Sequence, residues 1–110
     1  VAGSGVGARL KAGSIPILPG ARGFAEEGVI PGGTARNLLA ADAVQFADDL
    51  NAADRILLTD AQTSGGLLLA VPPEHLNSLL VALEREATLA RAVIGEITAE
   101  RNVVLVEGGT

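Results

Sequence analysis

The spacing of apolar residues changes along this chain, and each spacing predicts a different element. From position 76 onward they recur at Leu76, Leu79, Leu80, Leu83 and Ala87, with Asn77, Ser78, Glu84 and Arg85 between them. That is the rhythm of a helix with one apolar stripe and a hydrated opposite face. Pro72-Pro73-Glu74 opens it, and Pro73 suits a first helical turn, where its missing N–H would have no partner anyway. Just upstream, Leu67-Leu68-Leu69-Ala70-Val71 is a continuous apolar run of strand length, which predicts a buried strand. Residues 6–10 alternate loosely and predict a short strand. Residues 92–97 and 103–106 predict two more, and the five residues between them, Thr98-Ala99-Glu100-Arg101-Asn102, predict a hairpin.

Punctuating residues organise the stretch in between. Pro19-Gly20 opens a short helical segment expected to end at Gly28, where a helix C-terminus favours glycine, with Pro31 soon after. Phe24 is its expected core anchor. Thr34 is expected to cap a helix running to Ala41 by accepting from an orphan backbone N–H. Asp48 or Asp49 is expected to cap another, which carries Leu50, Ala53, Ile56 and Leu57 on one face. Strands and helices in this order predict an α+β fold, a mixed β-sheet with helices packed on one face.

Composition narrows the function classes. At 110 residues the chain fits one domain, and folding at this size buries roughly 65% of the unfolded chain's surface. Hydrophobic residues make up 48% of it, yet the aromatics are only Phe24 and Phe46, so Leu, Ile, Val and Ala must build the core. The net charge of −5 is spread along the chain. Nucleic acid is therefore not an expected partner, because its phosphates are met by clustered Lys and Arg, and stacking aromatics for single strands are scarce. No apolar run approaches the roughly 20 residues that span a bilayer, so no membrane partner is expected. With no cysteine and one histidine, His75, disulfides and a Cys/His metal centre are excluded, and a cytoplasmic setting is expected. His75 sits beside Glu74 in a first helical turn and reads as a surface residue. Asp42, Asp48, Asp49, Asp54 and Asp60 match no loop-type ligand spacing for Mg²⁺, so no metal ligand is assigned. Ser64 has no base to activate it. Gly3-Ser4-Gly5-Val6-Gly7 lacks the preceding strand that a dinucleotide fingerprint needs.

Three punctuated segments carry what remains: Ile15-Pro16-Ile17-Leu18-Pro19-Gly20-Ala21, Ile30-Pro31-Gly32-Gly33-Thr34-Ala35-Arg36-Asn37, and Asp60-Ala61-Gln62-Thr63-Ser64-Gly65-Gly66-Leu67-Leu68. In the last, a carboxylate, an amide and two hydroxyls precede adjacent glycines, which leave room for another group to come close. Taken alone, such a segment is more often a structural turn than a ligand loop. In this order, and followed by a helix and Ile94-Gly95, the three resemble the C-terminal part of the selenophosphate synthetase (selenide, water dikinase) family. The resemblance runs from Ser4-Gly5-Val6 to Ile94-Gly95, with Ala61 standing where the family usually has a proline.

The resemblance implies a single C-terminal domain over residues 1–110, truncated at its N-terminus, with the fold of the aminoimidazole ribonucleotide synthetase C-terminal domain. It implies that the catalytic N-terminal domain is absent from this chain. The parent protein would use Mg²⁺ and ATP to make selenophosphate from selenide, releasing AMP and phosphate. It would be a homodimer in which this domain packs on its own N-terminal domain. The family's nucleophilic Cys or selenocysteine, its Lys partner and its metal-holding aspartates have no counterpart here, so no catalytic residue is assigned and no cofactor is expected on this chain alone. Candidates for contacting substrate or facing the cleft are Thr34, Asn37, Thr63, Ser64, Gly65 and Gly66, through hydroxyl, amide and backbone N–H groups. Two alternatives stay open. One is another enzyme of the same superfamily, of the aminoimidazole ribonucleotide synthetase, thiamine-monophosphate kinase or hydrogenase maturation factor type. The other is a non-catalytic interaction or dimerisation module.

Overall fold

The computed structural model describes residues 1–62 and 65–109. Its strands are β1 (Gly7–Lys11), β2 (Val44–Phe46), β3 (Gly95–Thr98) and β4 (Val104–Glu107), and its helices α1 (Ala21–Glu26), α2 (Gly32–Ala40), α3 (Ala52–Leu58) and α4 (Pro73–Arg85). The strands form one sheet in the order β2-β4-β1-β3. β2, β4 and β1 run parallel, and β3 is antiparallel to β1. The expected α+β fold with a mixed sheet is what forms.

Register sorts the two sheet faces by polarity. Ile97, Ala8, Val104 and Val44 lie in one row, and Gly95, Leu10, Val106 and Phe46 in the next row on the same face. Ala8 and Val106 of these rows are buried, joined in the core by Val103, Leu50, Ala53 and Ala25. On the opposite face Arg9 pairs with Glu96 at 3.3 Å and lies 3.6 Å from Glu107, which also binds Lys11. These are surface pairs, screened by water, and they add little to stability. The Lys11 hydrogen bond is the main reason the Glu107 carboxyl lies below its ordinary range.

Helix α3 is the hub of the helical layer, since both α1 and α2 pack on it. Arg55 ties it to the sheet: its guanidinium lies 5.4 Å from the centre of the Phe46 ring and donates to the carbonyls of Leu50 and Ala47. Its cap is Asn51, not Asp48 or Asp49. The Asn51 side chain accepts from the Asp54 N–H at 2.9 Å and the Asp54 carboxylate accepts from the Asn51 N–H at 3.0 Å, a reciprocal capping box. Arg22 of α1 adds a 2.6 Å ion pair to Asp54. Burial pushes the Asp54 carboxyl up. The bonds from Arg22 and Asn51, with the Arg22 charge, outweigh that and hold it below its ordinary value.

Four other expectations change. The 98–102 segment is not a hairpin, because β3 and β4 flank β1 instead of pairing with each other. The link crosses the start of β1 at Gly7, where a Cβ would lie 2.8 Å from the Val103 carbonyl oxygen and closer still to that of Glu100. A glycine there lets the short link pass under the strand. Phe24 is 59% exposed. The buried residue of α1 is its neighbour Ala25, and one residue turns a helix by about 100°, which carries Phe24 off the packed face. The 67–71 run joins no strand, and Leu67 and Leu68 are 89% and 77% exposed. Apolarity favours burial but supplies no backbone partner, and a strand needs one. Finally, α4 forms where expected with Pro73 at its start, yet it has no buried residue, and Ala87 lies beyond its end at φ 54°. The α1 terminus does follow expectation. Gly28 takes φ 79°, its N–H meets the Ala25 carbonyl and the Val29 N–H meets that of Phe24, which closes a Schellman motif.

Candidate functional site

The Pro-Gly-Gly-Thr and Asp-Ala-Gln segments, 26 residues apart in sequence between Thr34 and Asp60, meet at one junction. Pro31, extended at φ −63° and ψ 147°, leads into α2, so Gly32, Gly33 and Thr34 form its first turn. Thr34 is therefore inside the helix and does not cap it. Its hydroxyl points away from its own helix, toward the turn that follows α3. It donates to Asp60 Oδ1 at 2.9 Å and accepts from the Ala61 N–H at 3.0 Å. The residue is fully buried, and a buried hydroxyl left unpaired would be costly. Both of its hydrogen-bonding roles are used.

The spacing Thr-x-x-Asn has a direct geometric reading. Residues three apart share a helix face, and Asn37, on the face of Thr34, donates from Nδ2 to the Thr59 carbonyl at 3.0 Å. Two side chains of α2 thus grip consecutive parts of the same turn. Gly33 makes the approach possible, because a Cβ there would already lie 3.0 Å from the Ala61 methyl. The remaining Asp60 oxygen accepts from Gln62 Nε2 at 3.3 Å, and a Cβ built on Gly65 would lie 3.1 Å from Gln62 Oε1. Thr34, Asp60 and Gln62 therefore form one hydrogen-bonded series, and Gly65 lies beside its last member.

Of the residues singled out from sequence, Thr34 and Asn37 come together at this junction, Gly65 adjoins it through Gln62, and Gly66 is exposed nearby in the chain. Thr63 and Ser64 lie outside the described residues. Asp60, Gln62 and the Ala61 N–H were not singled out as site residues. Their one sequence signal was membership of the same segment as the diglycine. Beside the junction, a cavity of about 310 Å³ opens between α1 and α3, lined by Phe24, Val29, Ile30, Ile56 and Leu57, with Asp60 at its edge. Among the described residues, no three of His, Cys, Asp or Glu converge as a metal site would require, and no helix is long and apolar enough to cross a membrane.

No family model matches the chain. Curated proteins named selenide, water dikinase do. That of Escherichia coli O6:H1 is 43% identical over 107 residues, covering 97% of this chain and 28% of its own length. That of Pelobacter propionicus is 40% identical over 101 residues, covering 91% and 29%. That of Burkholderia pseudomallei is 38% identical over 96 residues, covering 86% and 27%. The chain thus spans between a quarter and a third of the length of the curated relatives it matches.

Proposed function

We propose, from the premise that this chain belongs to the selenide, water dikinase family, that it is the C-terminal domain of an enzyme that makes selenophosphate from selenide and ATP, releasing AMP and phosphate. One observation supports this above the rest. The two glycine-bearing motifs that carry the resemblance converge at the Thr34–Asp60 junction, and the Gly65-Gly66 segment leaves from it. On this reading Thr34 and Asn37 anchor the turn after α3, and Gly65 and Gly66 face the substrate cleft. The diglycine gives a phosphate or a facing domain room to approach backbone N–H groups.

The chemistry belongs to the rest of the protein. On this reading Mg²⁺ and ATP are held by an N-terminal domain, and the isolated chain is expected to be inactive. That domain would also cover apolar surface such as Leu67 and Leu68, which is bare here. The parent is taken as a cytoplasmic homodimer.

The test uses the full-length protein with ATP, Mg²⁺ and selenide, followed by ³¹P NMR for selenophosphate, AMP and phosphate. ATP turnover that ignores selenide but responds to a different acceptor would move the chain to another enzyme of the superfamily. Turnover by the purified 110-residue chain above a heat-inactivated control would refute its assignment as a non-catalytic domain.

A further inference from the structure

We propose that Thr34, Asp60 and Gln62 are positioning residues. The buried Thr34 hydroxyl latches the turn after α3 onto α2, and Asp60 passes the constraint to Gln62, whose amide end lies beside Gly65. The activity consequence rests on the reading that Gly65 and Gly66 face the cleft, whereas the latch itself does not.

Three observations carry it. The Thr34 hydroxyl is inaccessible and used in both directions, so its one proton is committed and its remaining lone pair is out of a ligand's reach. Asp60 bridges Thr34 and Gln62 with its two oxygens, one bond to each, so both sides of the turn are held by a single carboxylate. Asn37 and Gly33 hold the same turn from the same helix face. Thr34 therefore acts through Asp60 and Gln62 and does not itself touch substrate.

The latch is read in this chain by amide exchange at Ala61, whose N–H is protected only through the Thr34 oxygen, with Ala8, bonded to the Val103 carbonyl in the sheet, as the global reference. Thr34→Val keeps the shape and removes the acceptor. It should speed Ala61 exchange about tenfold more than Ala8 exchange, the ratio one lost hydrogen bond supplies. Thr34→Ser, which keeps the hydroxyl, should restore the rate to within about twofold on the same scale. Should Thr34→Val fail to fold, Asp60→Ala at an exposed site frees the hydroxyl from its acceptor and should speed Ala61 about threefold relative to Ala8. Equal acceleration of Ala61 and Ala8, or no rescue by Ser, overturns the latch.

In the full-length enzyme, Thr34→Val should lower kcat about tenfold with KM for ATP nearly unchanged, again with rescue by Ser. If the exchange result holds but Thr34→Val and Gly65→Val both leave kcat intact, the latch stands and the cleft-wall reading falls.

Discussion

Gly7→Ala is the sharpest probe of the topology, because it adds one methyl where β1 meets the β3–β4 link. That methyl would lie 2.8 Å from the Val103 carbonyl oxygen and 2.8 Å from Thr98 Oγ1, and it would overlap the Glu100 carbonyl outright. Two of the three neighbours are backbone, so rotating the Thr98 side chain cannot relieve the overlap. The Val103 carbonyl also accepts the Ala8 N–H at 2.9 Å, so moving it puts a ladder hydrogen bond at risk. Overpacking costs about 1–3 kcal/mol, and a weakened buried hydrogen bond adds about 1 kcal/mol. Against this, alanine restricts the unfolded chain and returns about 0.4–1 kcal/mol. The net expectation is a loss of about 1.5–3 kcal/mol. At about 4–8 °C for each kcal/mol in a domain near this size, the melting temperature should fall by roughly 6–24 °C. Gly23→Ala is the matched control. Gly23 lies inside α1 with nothing within 4 Å of a built Cβ, so the same chemical change should stabilise by about 0.5–1 kcal/mol. Urea melts of both variants decide the matter by sign. A Gly7→Ala midpoint equal to the wild type would show that the link does not cross β1, and a hairpin would regain its place.

Further outcomes follow from single contacts. Asn51→Ala should cost about 1 kcal/mol in urea melts through loss of the α3 cap, and nearly as much in an Asp54→Ala background, since the Asn51 side chain bonds the backbone N–H of residue 54, which that change keeps. Ala87→Gly should stabilise by roughly 0.5–1 kcal/mol, because alanine in the left-handed region costs about 1–2 kcal/mol and glycine gives part of that back through unfolded-state entropy. A lower melting temperature would contradict the assigned φ. Asp54 has a folded pKa below its unfolded value, so its contribution is full above about pH 5 and is lost as pH falls through the folded value. Arg22→Gln should flatten that acid limb in melts from pH 7 to pH 3. Leu80→Ala should cost under about 2 kcal/mol, less than a core leucine truncation, because α4 has no fully buried residue.

What the sequence made legible was local. Pro73 at a helix start, Gly28 at a helix end and the loose alternation at the start of β1 each state their own conformation in a few residues, and the structure follows all three. What it concealed was pairing. Nothing in residues 98–102 says whether the chain turns back on β3 or slips past β1, and the deciding residue is Gly7, about ninety positions away, whose missing side chain leaves the gap. The 67–71 run fails for a related reason. Five apolar residues announce a wish for burial, but the ladder that would make them a strand must come from elsewhere, and no strand pairs with them in this sheet. Three-residue β2 is too short to signal at all, though Val44-Gln45-Phe46 alternates as an edge strand should.

The junction shows a different kind of concealment, and it bears on how the motifs are to be understood. A hydroxyl, an amide and two glycines at fixed spacing invite a ligand reading, and each residue type does bind phosphates in other settings. Here the spacing is already accounted for inside the protein. A spacing of three from Thr34 to Asn37 puts both on one face of α2, Gly33 removes the bulk that would keep Ala61 away, and the buried hydroxyl satisfies both a carboxylate and an orphan N–H. On the proposed reading the first motif holds the second, and the second is where a ligand would be met. That division predicts opposite signatures for the two. Substitutions in Pro31–Asn37 should act in proportion to how far they loosen the turn after α3, and conservative hydroxyl-for-hydroxyl or amide-for-amide changes should be tolerated. Substitutions at Gly65 should be intolerant of any side chain in the full-length enzyme while leaving the melting temperature of this domain nearly constant, because a Cβ there meets only the flexible end of Gln62. Measuring activity and melting temperature on the same preparations of Thr34→Ser, Asn37→Gln and Gly65→Val separates the two roles. A parallel fall of both quantities in Gly65→Val would place the diglycine among the structural residues as well.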